Sequence, residues 1–202
     1  MSLARQEIMV RKEGMVVQRV FSLVGFPAVL LGILLVLVTS ARAGECPAFL
    51  NHDFKKLHSS ETVNICKAYA GKPLLIVNTA SHCGYTPQFK GLEGINEKYR
   101  GRGLVVIGFP SDDFNQEAKT QEETAQVCYV NYGVTFTMLA PLAVTGDQAN
   151  PVFKELARQS HEPTWNFNKY LVSGDGKVTH YFDSSTVPDS TEFESAIERL
   201  LH

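Results

Sequence analysis

Apolar positions along the chain change rhythm several times, and each change marks an element. Leu74 to Ala80 (LLIVNTA) is short, nearly unbroken and rich in branched residues, the pattern of a strand buried on both faces. Thr86 then offers an N-cap and Pro87 a first helical position, where the missing N–H costs nothing. The helix so opened is expected to run to about Arg100, with Phe89, Leu92 and Tyr99 near one face and Gly101 and Gly103 ending it. Leu104 to Phe109 (LVVIGF) is a second buried strand, which makes a parallel strand–helix–strand unit.

Farther on, Gln121 to Asn131 predicts a helix with Ala125, Cys128, Tyr129 and Tyr132 on one stripe. Asn150-Pro151 opens another, carrying Val152, Phe153, Leu156 and Ala157. Lys169 to Ser173 and Lys177 to Phe182 flank Gly174-Asp175-Gly176, a hairpin signal. A last helix is capped by Asp189, has Glu192 three residues on, and aligns Phe193, Ala196, Ile197, Leu200 and Leu201. The order β-α-β-α-(β)-α-β-β-α predicts an α/β, thioredoxin-like three-layer sandwich, a central mixed sheet flanked by helices.

The first 43 residues break this pattern. Arg19 precedes the apolar run Phe21 to Val38, and Ala41-Arg42-Ala43 follows, which together describe a secretory signal peptide over residues 1–43. Met9 and Met15 are alternative starts, and an uncleaved membrane anchor is the competing reading, since the run is just long enough to span a bilayer. Cleavage after Ala43 would leave a domain over residues 44–202, periplasmic or secreted, with no stable membrane association. A formal charge of −2 gives no basic surface for nucleic acid.

All four cysteines, Cys46, Cys66, Cys83 and Cys128, fall in the mature part, where an oxidising compartment requires each to be bridged or reactive. Cys83 follows the first buried strand and precedes a helix N-terminus, whose field favours a thiolate; an inert buried thiol is the plainer alternative. Gly84, Tyr85, Thr86 and Pro87 follow it, so there is neither C-x-x-C nor C-x-x-x-C, and a dithiol exchanger or copper carrier is disfavoured. His82 reads as a solvated loop histidine or a minor catalytic partner.

NTASHCGYTPQFKGLE, GFPSDDFNQE and WNFNKYLVSGDGKV, in this order, resemble the three signature segments of the glutathione peroxidase family, over essentially the whole chain from about Asn51. The likeness is to its bacterial, cysteine-containing, exported branch. The resemblance implies a thiol peroxidase acting on hydrogen peroxide or organic hydroperoxides in the response to oxidative stress. It makes Cys83 the peroxidatic residue, oxidised to a sulfenic acid, with Trp165 and Asn166 as donors beside it. It implies no cofactor and no metal, and glutathione or a thioredoxin-like protein as reductant. A family loop used by tetrameric relatives is missing, which points to a monomer.

The family's glutamine is replaced by Asp113, and one residue is deleted after Phe114. Ala118 and Thr137 stand where the family has prolines. A carboxylate beside the sulfur would oppose the thiolate, so Asp113 is protonated, turns away, or is supplanted by Gln116. Cys128 lies near the resolving cysteine of two-cysteine members, and also on an apolar stripe where a structural thiol fits equally. Cys46 and Cys66 flank the segment that by resemblance holds an early β-hairpin; a bridge or two free thiols remain open. The alternative to an enzyme is a non-catalytic peroxide sensor or binding module on the same fold.

Overall fold

In the computed structural model of the chain, the described residues run from Cys46 to His202. The leader expected over residues 1–43 lies outside them. Strand β3 (Leu74–Thr79) is buried at all six positions and sits at the centre of a five-stranded sheet. On one side it runs parallel to β4 (Val105–Pro110), which is followed at the edge by the two-residue β5 (Thr137–Met138). On the other it is antiparallel to β6 (Lys169–Val172), which pairs with β7 (Val178–Phe182) as a hairpin.

Alternation across the pleat explains the unbroken apolar run of β3. Leu75 and Val77 face one core with Leu92 and Ile95 of α2 (Gln88–Tyr99) and with Phe193 and Ile197 of α5 (Thr191–Leu200). Leu74 and Ile76 face the other core with Val152, Phe153 and Leu156 of α4 (Pro151–Gln159). Both faces are therefore covered, which accounts for a strand that is apolar on both sides of the pleat. A small hairpin of β1 (Asp53–Lys55) and β2 (Thr62–Asn64), followed by α1 (Ile65–Tyr69), precedes the sheet and adds Phe54, Val63 and Ile65 to the second core. Among the described residues, no helix is long and apolar enough to cross a membrane.

Several boundaries differ from the sequence expectation, for local reasons. The last helix is capped by Ser190 instead of Asp189, because the serine hydroxyl accepts the Phe193 N–H. Thr86 does not cap α2; its hydroxyl turns back, accepting from Cys83 N and donating to Ala80 O. The helix after Thr120 is α-helical only over α3 (Gln121–Ala125) and widens to a π-helix over Gln126–Asn131. That widening keeps Cys128 buried but turns Tyr129 out to 37% exposure, so the expected four-residue stripe is not maintained. In the β6–β7 turn, Gly174 is required by crowding: a Cβ there would lie 2.3 Å from the carbonyl oxygen of Gly71.

Candidate active site

Cys83 is a free, buried cysteine on the turn that carries the chain from β3 into α2. The Thr86 hydroxyl fastens this turn at both ends, at 3.0 Å from Cys83 N and 2.8 Å from Ala80 O. The Tyr85 N–H points at the sulfur, 3.4 Å from Sγ.

Two other loops converge on this turn. The His82 N–H donates to Gln116 O at 2.8 Å, which binds the 114–117 segment to the cysteine loop. Gln116 Oε1 in turn accepts from Asn166 Nδ2 at 3.0 Å, so that Nε2, the donor end of the amide, is the end left out of that bond. Asn166 is fully buried, and its Oδ1 has no partner among the described residues. Trp165, 40% exposed, leans on Phe114 with ring centroids 5.4 Å apart. Of the sequence-derived site residues, Gln116 and Asn166 are joined directly through their side-chain amides, Gln116 reaches the cysteine loop through its backbone carbonyl, and Trp165 meets the same segment through Phe114.

Residues that carry no chemistry of their own hold these segments in place. Asn78, buried at the end of β3, donates through Nδ2 to Trp165 O at 2.9 Å and accepts the Asn168 N–H at 3.0 Å; its own carbonyl accepts from Phe167 N at 2.7 Å. Phe167 has φ +65°, a left-handed conformation that costs a bulky residue on the order of 1 kcal/mol or more. Its ring sits edge-on to Phe89 of α2 at 5.2 Å. The sequence reading passed over Asn78, Lys169 and Ser184. A polar residue inside an apolar strand, as Asn78 is in LLIVNT, was the signal available for the first.

Comparison with known proteins places the chain in a family. Residues 50–157 match the glutathione peroxidase family. The glutathione peroxidase-like peroxiredoxin gpx1 of Schizosaccharomyces pombe is 45% identical over 137 residues, covering 65% of this chain and 85% of that protein. The glutathione peroxidase of Lactococcus lactis subsp. cremoris is 41% identical over 157 residues, covering 74% and 98%. The crystal structure of Trgpx in apo form superposes with a TM-score of 0.60 at 29% identity, covering 77% of this chain and 96% of that one. The chain belongs to the glutathione peroxidase family. It is a thiol peroxidase on a thioredoxin-like α/β fold.

Against that family pattern, the place of Asp113 is informative. Its carboxylate turns away from the cysteine loop and accepts from Val144 N (2.7 Å), Thr145 N (2.9 Å) and the Thr145 hydroxyl (3.0 Å). It is not bonded to Gln116 or Asn166, so of the three outcomes open in the sequence the geometry matches the second. His82 is exposed and lines an open groove with Thr120, Glu122, Glu123, Gln126 and Val127.

Cys128 is free and buried inside the π-helix. Burial, reinforced by the Glu117 charge, pushes its thiol up to about 12. Glu117 is itself buried; it accepts from the Ser81 hydroxyl, from Ala118 N at 2.7 Å and from the Thr124 hydroxyl at 3.0 Å. Burial raises its carboxyl pKa despite those bonds. Cys46 and Cys66 form a disulfide, with Cα atoms 5.7 Å apart, that closes the segment holding the β1–β2 hairpin. Among the described residues, no cluster of three His, Cys, Asp or Glu is placed to hold a metal ion.

Proposed function

We propose that Cys83 is the peroxidatic thiol and that Gln116, Asn166 and Trp165 are its polar partners. The observation that carries this reading is the amide pair Asn166 Nδ2–Gln116 Oε1, joined to the cysteine loop through His82 N–H and Gln116 O. The Cys83 thiolate attacks one peroxide oxygen, the O–O bond breaks, and the departing oxygen takes a proton to leave as water or alcohol. Sulfur is oxidised to the sulfenic acid and the peroxide is reduced. The indole and amide N–H groups stabilise the oxygen as it becomes negative. Asn166 Oδ1, buried without a partner among the described residues, offers an acceptor to the hydroperoxide O–H.

Recycling follows one of two routes. In the first, an outside thiol attacks the sulfenic sulfur, releasing water, and a second thiol frees Cys83. In the second, Cys128 attacks instead, forming a Cys83–Cys128 disulfide and water, and a thioredoxin-like donor reduces it. The high Cys128 pKa and its burial mean that the π-helical turn must open before that thiol reacts. The groove beside His82 carries Glu122 and Glu123, which repel the carboxylates of glutathione; a protein dithiol is the donor this favours.

The Cys46–Cys66 disulfide supports an oxidising compartment, hence a periplasmic or secreted protein whose leader is cleaved after Ala43. We take the working form to be a monomer. The deciding experiment measures peroxide consumption by the protein and its Cys83→Ser variant, with glutathione and a thioredoxin-type donor compared. Loss of turnover in Cys83→Ser is expected. Retention would remove Cys83 from the chemistry. A sensor would be oxidised once and stop, whereas the family assignment leads us to expect continuous turnover.

A further inference from the structure

The tripeptide Trp165-Asn166-Phe167 presents the donors of the site, and each of its three carbonyls is held by a different buried side chain. Asn78 Nδ2 of β3 takes Trp165 O at 2.9 Å. The Ser184 hydroxyl, on the segment after β7, takes Asn166 O at 2.6 Å. Lys169 Nζ, at the start of β6, takes Phe167 O at 2.7 Å and reaches Asp183 O at 3.3 Å. Asn78 and Lys169 are fully buried and Ser184 nearly so.

A fully buried lysine is unusual enough to require a reason. Neither of its partners is a carboxylate: both are backbone carbonyls, one on the strained Phe167 and one on the segment that carries Ser184. Lys169 thus ties the left-handed residue to the same segment that binds the carbonyl before it. Both the charged and the neutral amine have N–H groups enough for these two bonds.

We propose that Lys169 is a positioning residue: with Ser184 and Asn78 it holds the left-handed turn at Phe167, and so sets the directions of Trp165 and Asn166 toward Cys83. The inference rests on the proposed roles of Trp165 and Asn166. Burial draws the Lys169 pKa down to about 7, in keeping with an amine held for its hydrogen bonds more than for its charge. Nothing in the frame reacts. Its effect is on geometry, to which oxyanion-type donors are sensitive.

The test uses Lys169→Met, which keeps most of the volume and removes the donor. Because Trp165 is the only tryptophan, its fluorescence follows the site directly. The expected result is a rate of Cys83 oxidation by hydrogen peroxide lower by about tenfold or more, with shifted Trp165 emission in the reduced protein. Alkylation of Cys83 by iodoacetamide, which needs no donor for a leaving oxygen, should change far less, whereas general damage to the fold would alter both. A folded Lys169→Met protein with unchanged oxidation rate and emission overturns the inference. If that variant does not fold, Ser184→Ala decides by the same measurements, slower oxidation supporting the frame and an unchanged rate overturning it. Trp165→Phe and Asn166→Ala, followed by mass spectrometry of Cys83, separate the two layers. If they oxidise normally, the site reading fails and takes the inference with it; if they are slow while Lys169→Met is normal, the inference alone fails.

Discussion

Two buried groups give the stability of this protein opposite slopes against pH, and the slopes can be separated by mutation. Lys169 has its pKa lowered from 10.5 to about 7 by burial, with the Asp183 charge opposing. Between those values the unfolded chain binds the proton and the folded one does not, so stability rises with pH, by at most about 1.4 kcal/mol per pH unit. The penalty is complete below pH 7 and absent above the unfolded value. Cys128 works the other way: raised from 9.0 to about 12, it keeps its proton in the fold and loses it on unfolding, so stability falls as pH rises past 9. Buried Tyr170, also raised, adds to the fall at higher pH. Guanidinium unfolding of a Cys83→Ser/Cys128→Ser protein, which leaves the Cys46–Cys66 bridge without a free thiol to scramble it, isolates the lysine. From about pH 7.5 to 9 its unfolding free energy should rise by roughly 2 kcal/mol, while the same protein with Lys169→Met should lack this rise. At neutral pH the methionine leaves two carbonyls unpaired, costing about 1–3 kcal/mol each, but removes a desolvation penalty of similar size, so it should still fold. Equal slopes with and without Lys169 would refute the reasoning.

The other expectations concern single contacts. Asp113→Asn keeps an acceptor for Val144 and Thr145 and should leave turnover within about twofold, whereas Gln116→Leu should slow Cys83 oxidation on the order of a hundredfold, both read by stopped flow. A large fall in Asp113→Asn would return the carboxylate to the site. Replacing Cys46 and Cys66 by serine should lower the unfolding free energy by about 3 kcal/mol, from a closed loop spanning 20 residues, and leave the peroxide rate unchanged. After one equivalent of peroxide, mass mapping should find a Cys83–Cys128 bond; finding only sulfenic acid or mixed disulfide on Cys83 would assign recycling to an external thiol.

What could be read in the sequence, and what could not, divides by the range of the interaction. β3 and β4 were visible because a strand covered on both faces has to be apolar throughout, and the β6–β7 hairpin because Gly174-Asp175-Gly176 marks its turn. The place of Cys83 between a strand and a helix was legible because strand end and helix start are both local signals. Thr86 shows the limit: its residue type fits an N-cap, yet the hydroxyl is taken by Cys83 N and Ala80 O, and sequence pattern does not choose between two local uses of one side chain. The π-turn at Cys128 was hidden too, since the wider hydrogen-bonding register leaves the sequence spacing unchanged.

The polar frame lay beyond reach for a stronger reason. Asn78 and Trp165 are 87 residues apart in sequence, and each looks unremarkable where it stands. A buried amide is tolerable only if its partners arrive, and those partners come from the segment that leads into the strand paired beside it, where Val77 of β3 lies opposite Lys169 of β6. The same logic accounts for Asp113. In the 113–117 loop Gln116 reaches Asn166, and Asp113 binds a different stretch of backbone. Position within a motif therefore does not by itself assign a side chain to the site. In this loop the side chain that meets Asn166 is Gln116, and Asn166 stands between Trp165 and Phe167, whose backbone Asn78 holds.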